Sequence, residues 1–136
     1  MQTDLFKKTA ILVEQHSLQS KLYKDILTAN GFDVSVTGSA IDGFKQIKSG
    51  KHDLVVINTE IVEEAFLEKL INKIHENQST KPMSIVGLSI YNRECKKNIS
   101  RIMDAFLTKP LSVDKFMESV FMCIENKNNG CKNIGN

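Results

Sequence analysis

A chain of 136 residues, 41% of them hydrophobic, is long enough for one domain with one buried core. Charged residues make up 25% and the formal net charge is +2, with no run of like charge longer than a pair, so nothing requires nucleic acid or an anionic membrane surface. No apolar run approaches a bilayer span, and residues 1–5 show no basic lead before an apolar stretch, so the expectation is a cytoplasmic protein without membrane segment or signal peptide.

Residues 1–7 are a short polar lead. A first strand is predicted over 9–14, where Ala10-Ile11-Leu12-Val13 runs abruptly into Glu14-Gln15-His16. Such an unbroken apolar, branched run is typical of a strand buried on both faces of a parallel sheet. Leu18, Leu22, Tyr23 and Ile26 then recur at helical spacing, with Ser17 as the expected N-cap and Asn30-Gly31 as the stop. Residues 32–37 alternate with period two and read as a strand nearer the sheet edge. Gly38-Ser39 opens a second helix with Ile41, Phe44 and Ile47 on one stripe, closed by Gly50. The third strand is 54–58, Leu-Val-Val-Ile-Asn.

After the loop 59–63, Phe66, Leu67, Leu70, Ile71 and Ile74 mark a third helix, and Lys81-Pro82 breaks the pattern. The fourth strand is 84–89. Residues 92–103 read as a weaker helix made basic by Arg93, Lys96, Lys97 and Arg101. The fifth strand, 104–108, is ended by Lys109-Pro110, because proline cannot continue a central strand. Val113, Phe116, Met117, Val120 and Ile124 place a fifth helix. Met117, Phe121 and Met122 cannot all face inward, so part of that set is expected on a partner surface. The predicted domain covers 8–126, and 127–136 reads as a flexible polar tail. Five strands alternating with five helices imply an α/β fold, a doubly wound five-stranded parallel sheet of flavodoxin-like kind.

In such a sheet chemistry gathers beyond the carboxyl ends of the strands. Glu14, Gln15, Asn58, Ser89 and Lys109 all fall there and should converge on one rim. His16, one residue further on, reads as an exposed loop histidine. No glycine-rich loop follows the first strand, which argues against a flavin or nucleotide binder. Cys95, Cys123 and Cys131 are odd in number and lack metal-ligand spacing, so they read as reduced thiols.

Over residues 8–126 the chain resembles the receiver domain of bacterial two-component response regulators, in the flavour of single-domain regulators of cell-cycle phosphorelays. The resemblance is carried by Ile11-Leu12-Val13-Glu14, Leu54-Val55-Val56-Ile57, Gly87-Leu88-Ser89 and, most specifically, Phe106-Leu107-Thr108-Lys109-Pro110-Leu111. It implies a non-enzymatic signalling module in which an aspartate at position 58 would take a phosphoryl group from a histidine kinase. Acidic residues at positions 14 and 15 would hold Mg²⁺, Ser89 and Lys109 would contact the phosphoryl oxygens, and Phe106 would report the event by changing rotamer. Lys109-Pro110 becomes a candidate cis peptide. The implied partners are a histidine kinase, a phosphotransferase or another signalling protein. A homodimer through the fourth predicted helix, fifth strand and fifth predicted helix is a further possibility. Nucleic acid and membranes are not expected partners.

The sequence departs from the family at the centre of that chemistry. Position 58 is asparagine, and a carboxamide cannot form an acyl phosphate. Position 15 is glutamine, so Glu14 is the one carboxylate left of the usual three, facing Lys109. Mg²⁺ prefers carboxylate oxygens, so its binding is expected to be weak or lost, with Glu14 and Glu60 as residual candidates and no cofactor. The loop after Asn58 lacks the usual Met-Pro, so the third helix is expected to start differently. Glu60 is expected to point away from the rim, and Lys109 to hydrogen-bond Glu14 or the Asn58 carbonyl. The reading is a pseudo-receiver, a receiver fold kept for binding with its phosphoryl switch disabled. The alternative is a working phospho-acceptor in which Asn58 replaces an aspartate by engineering, or in which another residue accepts.

Overall fold

The computed structural model describes residues 8–61, 64–76, 83–89, 103–108 and 112–128. The predicted basic helix, apart from Met103, and the Lys109-Pro110 pair both lie outside the described residues. Strands β1 (Lys8–Val13), β2 (Phe32–Thr37), β3 (Leu54–Asn58), β4 (Ser84–Ser89) and β5 (Ala105–Thr108) form one sheet in the order β2-β1-β3-β4-β5, every pair parallel. Four helices are described: α1 (Ser17–Ala29), α2 (Ala40–Lys48), α3 (Glu64–Glu76) and α4 (Val113–Asn128). The last is the fifth predicted helix, and it runs two residues past the expected boundary at 126.

Side chains alternate across the sheet and build two apolar layers. Ala10, Leu12, Leu54, Val56, Val86 and Leu88 face Tyr23 and Leu27 of α1 and Phe116 and Val120 of α4. Ile11, Val13, Val55, Ile57 and Ile85 face Ile47 of α2 and Leu67 and Ile71 of α3. This two-sided cover is why the central strands read as unbroken apolar runs. Each fully buried Leu, Ile or Val contributes roughly 1.5–3 kcal/mol relative to exposure. Met117 belongs to the first layer, whereas Phe121 and Met122 are exposed, which is how the Met117, Phe121 and Met122 set divides.

The helix ends follow local chemistry. Ser17 is the first residue of α1 rather than its cap. His16 holds the cap position, without a side-chain bond. Asn30 and Gly31 end the helix as expected, with Gly31 at φ 95°, a conformation that costs glycine no Cβ clash. Ser39 caps α2, its side chain accepting from the Asp42 N–H at 3.1 Å. After Asn58 a short 3-10 turn, Thr59–Ile61, comes before α3, which begins at Glu64. Among the described residues no helix is long and apolar enough to cross a membrane.

The strand order sets the place for a site. From β1 the chain passes to β2 on one side, while β3 flanks β1 on the other, so their connections diverge and leave a crevice above β1 and β3. The opposite ends of these strands are stitched together. The Thr9 N–H donates to the Asp53 carboxylate, and the Asp53 N–H to the Thr9 carbonyl, both at 2.8 Å. That fixes the register from Ala10 opposite Leu54 to Val13 opposite Ile57, and brings Glu14 beside Asn58.

Candidate functional site

Glu14 follows the last residue of β1, and its N–H continues the ladder to the Thr37 carbonyl at 2.9 Å. Its carboxylate is turned into the crevice and is only 2% exposed. A buried carboxylate needs hydrogen bonds to offset lost hydration, and N–H groups of the rim are among those that supply them. Asn58 donates from Nδ2 to Glu14 Oε2 at 2.9 Å, and the His16 backbone N–H donates to the same oxygen at 3.1 Å. Asn58 is itself buried at the end of β3. Its Oδ1 accepts the Glu60 backbone N–H at 2.9 Å, so both ends of the carboxamide are engaged.

That second bond is a local Asx turn, in which an asparagine side chain accepts from the backbone two residues on. It folds the Thr59–Ile61 turn back over the rim. Thr59 ties the same turn to the neighbouring strand, its hydroxyl donating to the Leu88 carbonyl at 3.1 Å. The expectation that Glu60 points away from the rim does not hold, because the turn carries its carboxylate to β4, where the Ser89 hydroxyl donates to Oε2. Glu60, named from the sequence as a residual Mg²⁺ candidate, is thus a rim residue whose direction the sequence reading misplaced. The Asn58-x-Glu60 spacing of an Asx turn was the available signal.

The other expected positions divide. Glu14, Asn58 and Ser89 meet through this chain of bonds. Gln15 and His16 are exposed and, with Glu14 and Asn58, line an open cleft of about 390 Å³. Phe106 is half-buried against the α2–α3 layer. Lys109 and Pro110, and with them the expected contact of Lys109 with Glu14 or Asn58, fall outside the described residues. Tyr23, not singled out as a site residue, lies buried beneath the rim. Burial raises its phenol pKa above the ordinary value, and the negative charge of Glu14 raises it further.

The donor set suits a hard divalent cation poorly. One oxygen of Glu14 is engaged by two N–H donors, the Asn58 carbonyl oxygen is taken by the Glu60 N–H, and Gln15 is neutral and exposed. Mg²⁺ wants several oxygen ligands in near-octahedral order. Among the described residues no three His, Cys, Asp or Glu side chains gather as a metal group.

A 2-1-3-4-5 parallel sheet with polar side chains gathered above β1, β3 and β4 is the doubly wound α/β arrangement that flavodoxin-like proteins and receivers share. A family model of the response regulator receiver domain matches residues 10–121, and the chain belongs to that family, the receivers of two-component signalling. Among curated proteins it is 22% identical over 117 residues to the polar-differentiation response regulator DivK of Brucella ovis, covering 83% of this chain and 93% of the relative. A CheY-like receiver domain from Methanospirillum hungatei superposes with TM-score 0.78 at 18% identity, over 91% of this chain and 98% of the other. The receiver domain of the Pseudomonas aeruginosa sensor kinase PA1611, solved with magnesium in its active-site cleft, gives TM-score 0.73 at 13% identity, over 88% and 98% of the two chains.

Proposed function

We propose that this receiver acts in two-component signalling without being phosphorylated, as a pseudo-receiver that works by protein–protein binding. The observation that carries the reading is Asn58 itself. At the phosphoacceptor position stands a carboxamide whose Nδ2 and Oδ1 are both committed, to Glu14 and to the Glu60 N–H. A carboxylate there could be the nucleophile of phosphoryl transfer, but an amide cannot.

Its partners are a histidine kinase, a phosphotransferase or another signalling protein in the cytoplasm. Two surfaces suit them. Leu18 and Leu22 on α1 are 72% and 48% exposed, and Val113, Phe121 and Met122 on α4 are also exposed. Where such exposed apolar side chains cluster, they offer a contact surface for another chain. A homodimer through β5, α4 and the segment between β4 and β5 would use the second surface. The likeness to the Brucella polar-differentiation regulators supports the signalling role.

The test is exposure to acetyl phosphate with Mg²⁺, read by intact mass. The expected result is an unmodified chain. A Mg²⁺-dependent adduct would overturn the reading. The nearness of the Glu60 carboxylate to Ser89 favours one second reading, in which Glu60 is a substitute acceptor. An adduct that disappears in Glu60→Gln would establish it.

A further inference from the structure

The Glu60 carboxylate stands against the one buried hydroxyl at the end of β4. We infer that Glu60 is a built-in anion that occupies Ser89 where a receiver would place a phosphoryl oxygen, so that the chain holds its own rim in a single state. The inference rests on the reading that position 58 accepts no phosphoryl group.

Three bonds carry it. Ser89 is 4% exposed, and its hydroxyl donates to Glu60 Oε2. The Glu60 N–H donates to Asn58 Oδ1 at 2.9 Å, which fixes the turn on β3. The Thr59 hydroxyl donates to the Leu88 carbonyl at 3.1 Å, which fixes the same turn on β4, one residue before Ser89. The turn is therefore anchored on both strands, and the carboxylate reaches Ser89 from a determined backbone. A serine hydroxyl has one proton to donate. While that proton is given to Glu60, a second anion must displace the carboxylate to reach the Ser89 hydroxyl. The carboxylate thus does two things together: it satisfies Ser89 without a phosphoryl group, and it guards the rim against anions from solution.

Two measurements test this. The first is a double-mutant cycle in urea unfolding with Glu60→Ala and Ser89→Ala. The coupling is expected to be roughly tenfold in the folding equilibrium constant, the low end for a hydrogen bond to a charged group, because Glu60 is exposed. Additive effects would overturn the inference. The second restores an acceptor with Asn58→Asp and compares that variant with Asn58→Asp/Glu60→Ala for binding of beryllofluoride with Mg²⁺, followed through the Ser89 amide resonance. The variant that keeps Glu60 is expected to bind about tenfold more weakly, the Ser89–Glu60 hydrogen bond having to be given up first. Equal affinity would overturn the inference while leaving the pseudo-receiver reading intact. An acetyl phosphate adduct on the unaltered chain would instead remove the reading on which both rest.

Discussion

Asn58 donates from its side-chain nitrogen to Glu14 over 2.9 Å, and the direction of that bond decides what position 58 can be. Both groups are buried. An aspartate at 58 would replace the donor by an anionic oxygen facing the Glu14 carboxylate at hydrogen-bond distance. Two carboxylates so placed cannot both ionise without a cation between them. The receiver of the P. aeruginosa kinase was solved with magnesium in its cleft, whereas here an amide proton stands between Glu14 and position 58.

Asn58→Asp is therefore expected to lose stability when no divalent cation is present, by about 1–3 kcal/mol, the cost of a buried polar group left without its partner. Added Mg²⁺ should restore part of the loss in the variant and leave the parent unchanged. Urea unfolding of both proteins with and without Mg²⁺ makes the comparison. Equal stability of the two without metal would show that the bond between Asn58 and Glu14 carries no weight.

Tyr23 offers a spectroscopic view of the same carboxylate. The phenol is buried against Phe116, with ring centroids 5.0 Å apart, and its pKa is raised first by burial and then by Glu14. An ultraviolet pH titration should show one tyrosine ionising above the ordinary range, and Glu14→Gln should bring it part of the way back. The sign for stability follows from proton linkage. Above about pH 10 an unfolded tyrosine releases its proton while the folded one keeps it, so the native state binds more protons and stability falls as pH rises. The contribution is complete below the unfolded pKa and disappears as pH passes the folded one. A phenol titrating normally in the folded protein would contradict the placement of Tyr23 beneath the rim.

The strands were legible because burial on both faces writes itself into composition. β2, β3 and β4 begin and end where their apolar or alternating patterns do, and β1 and β5 differ by a residue. Helix ends were legible where local chemistry selects a residue, as at the stop Asn30-Gly31 and the N-cap Ser39. The cap of α1 was less so, because any residue can hold an N-cap geometrically and here a histidine does so without a side-chain bond. At the rim, the strand-end rule correctly brought Glu14 and Asn58 together. It could not place Glu60, whose position depends on an Asx turn and a threonine bond rather than on strand periodicity. The pairing of Ser89 with Glu60 is a contact between residues 29 apart in the chain, and no local pattern encodes it.

The missing side chain of Gly87 shapes the packing beside Ser89. A Cβ there would lie 2.3 Å from Met103 Sδ and 3.0 Å from Phe106 Cδ1. Both neighbours belong to the α2–α3 layer, and Phe106 pairs with Gly87 across the β4–β5 ladder. The methionine can swing aside, because it is unbranched and adaptable, whereas the aromatic ring on the adjacent strand has less freedom. Gly87→Ala should therefore fold but lose about 1–3 kcal/mol to overpacking. Met103→Ala alone should cost about 2–5 kcal/mol through the cavity it leaves, but less in the Gly87→Ala chain, since it removes the nearer clash and the new methyl group takes up part of the space. Urea unfolding of the two single variants and the double gives the coupling, and the aromatic proton resonances of Phe106 should shift in Gly87→Ala alone. A fully stable Gly87→Ala with an unmoved Phe106 would mean that β4 and β5 are not packed as closely as this contact requires.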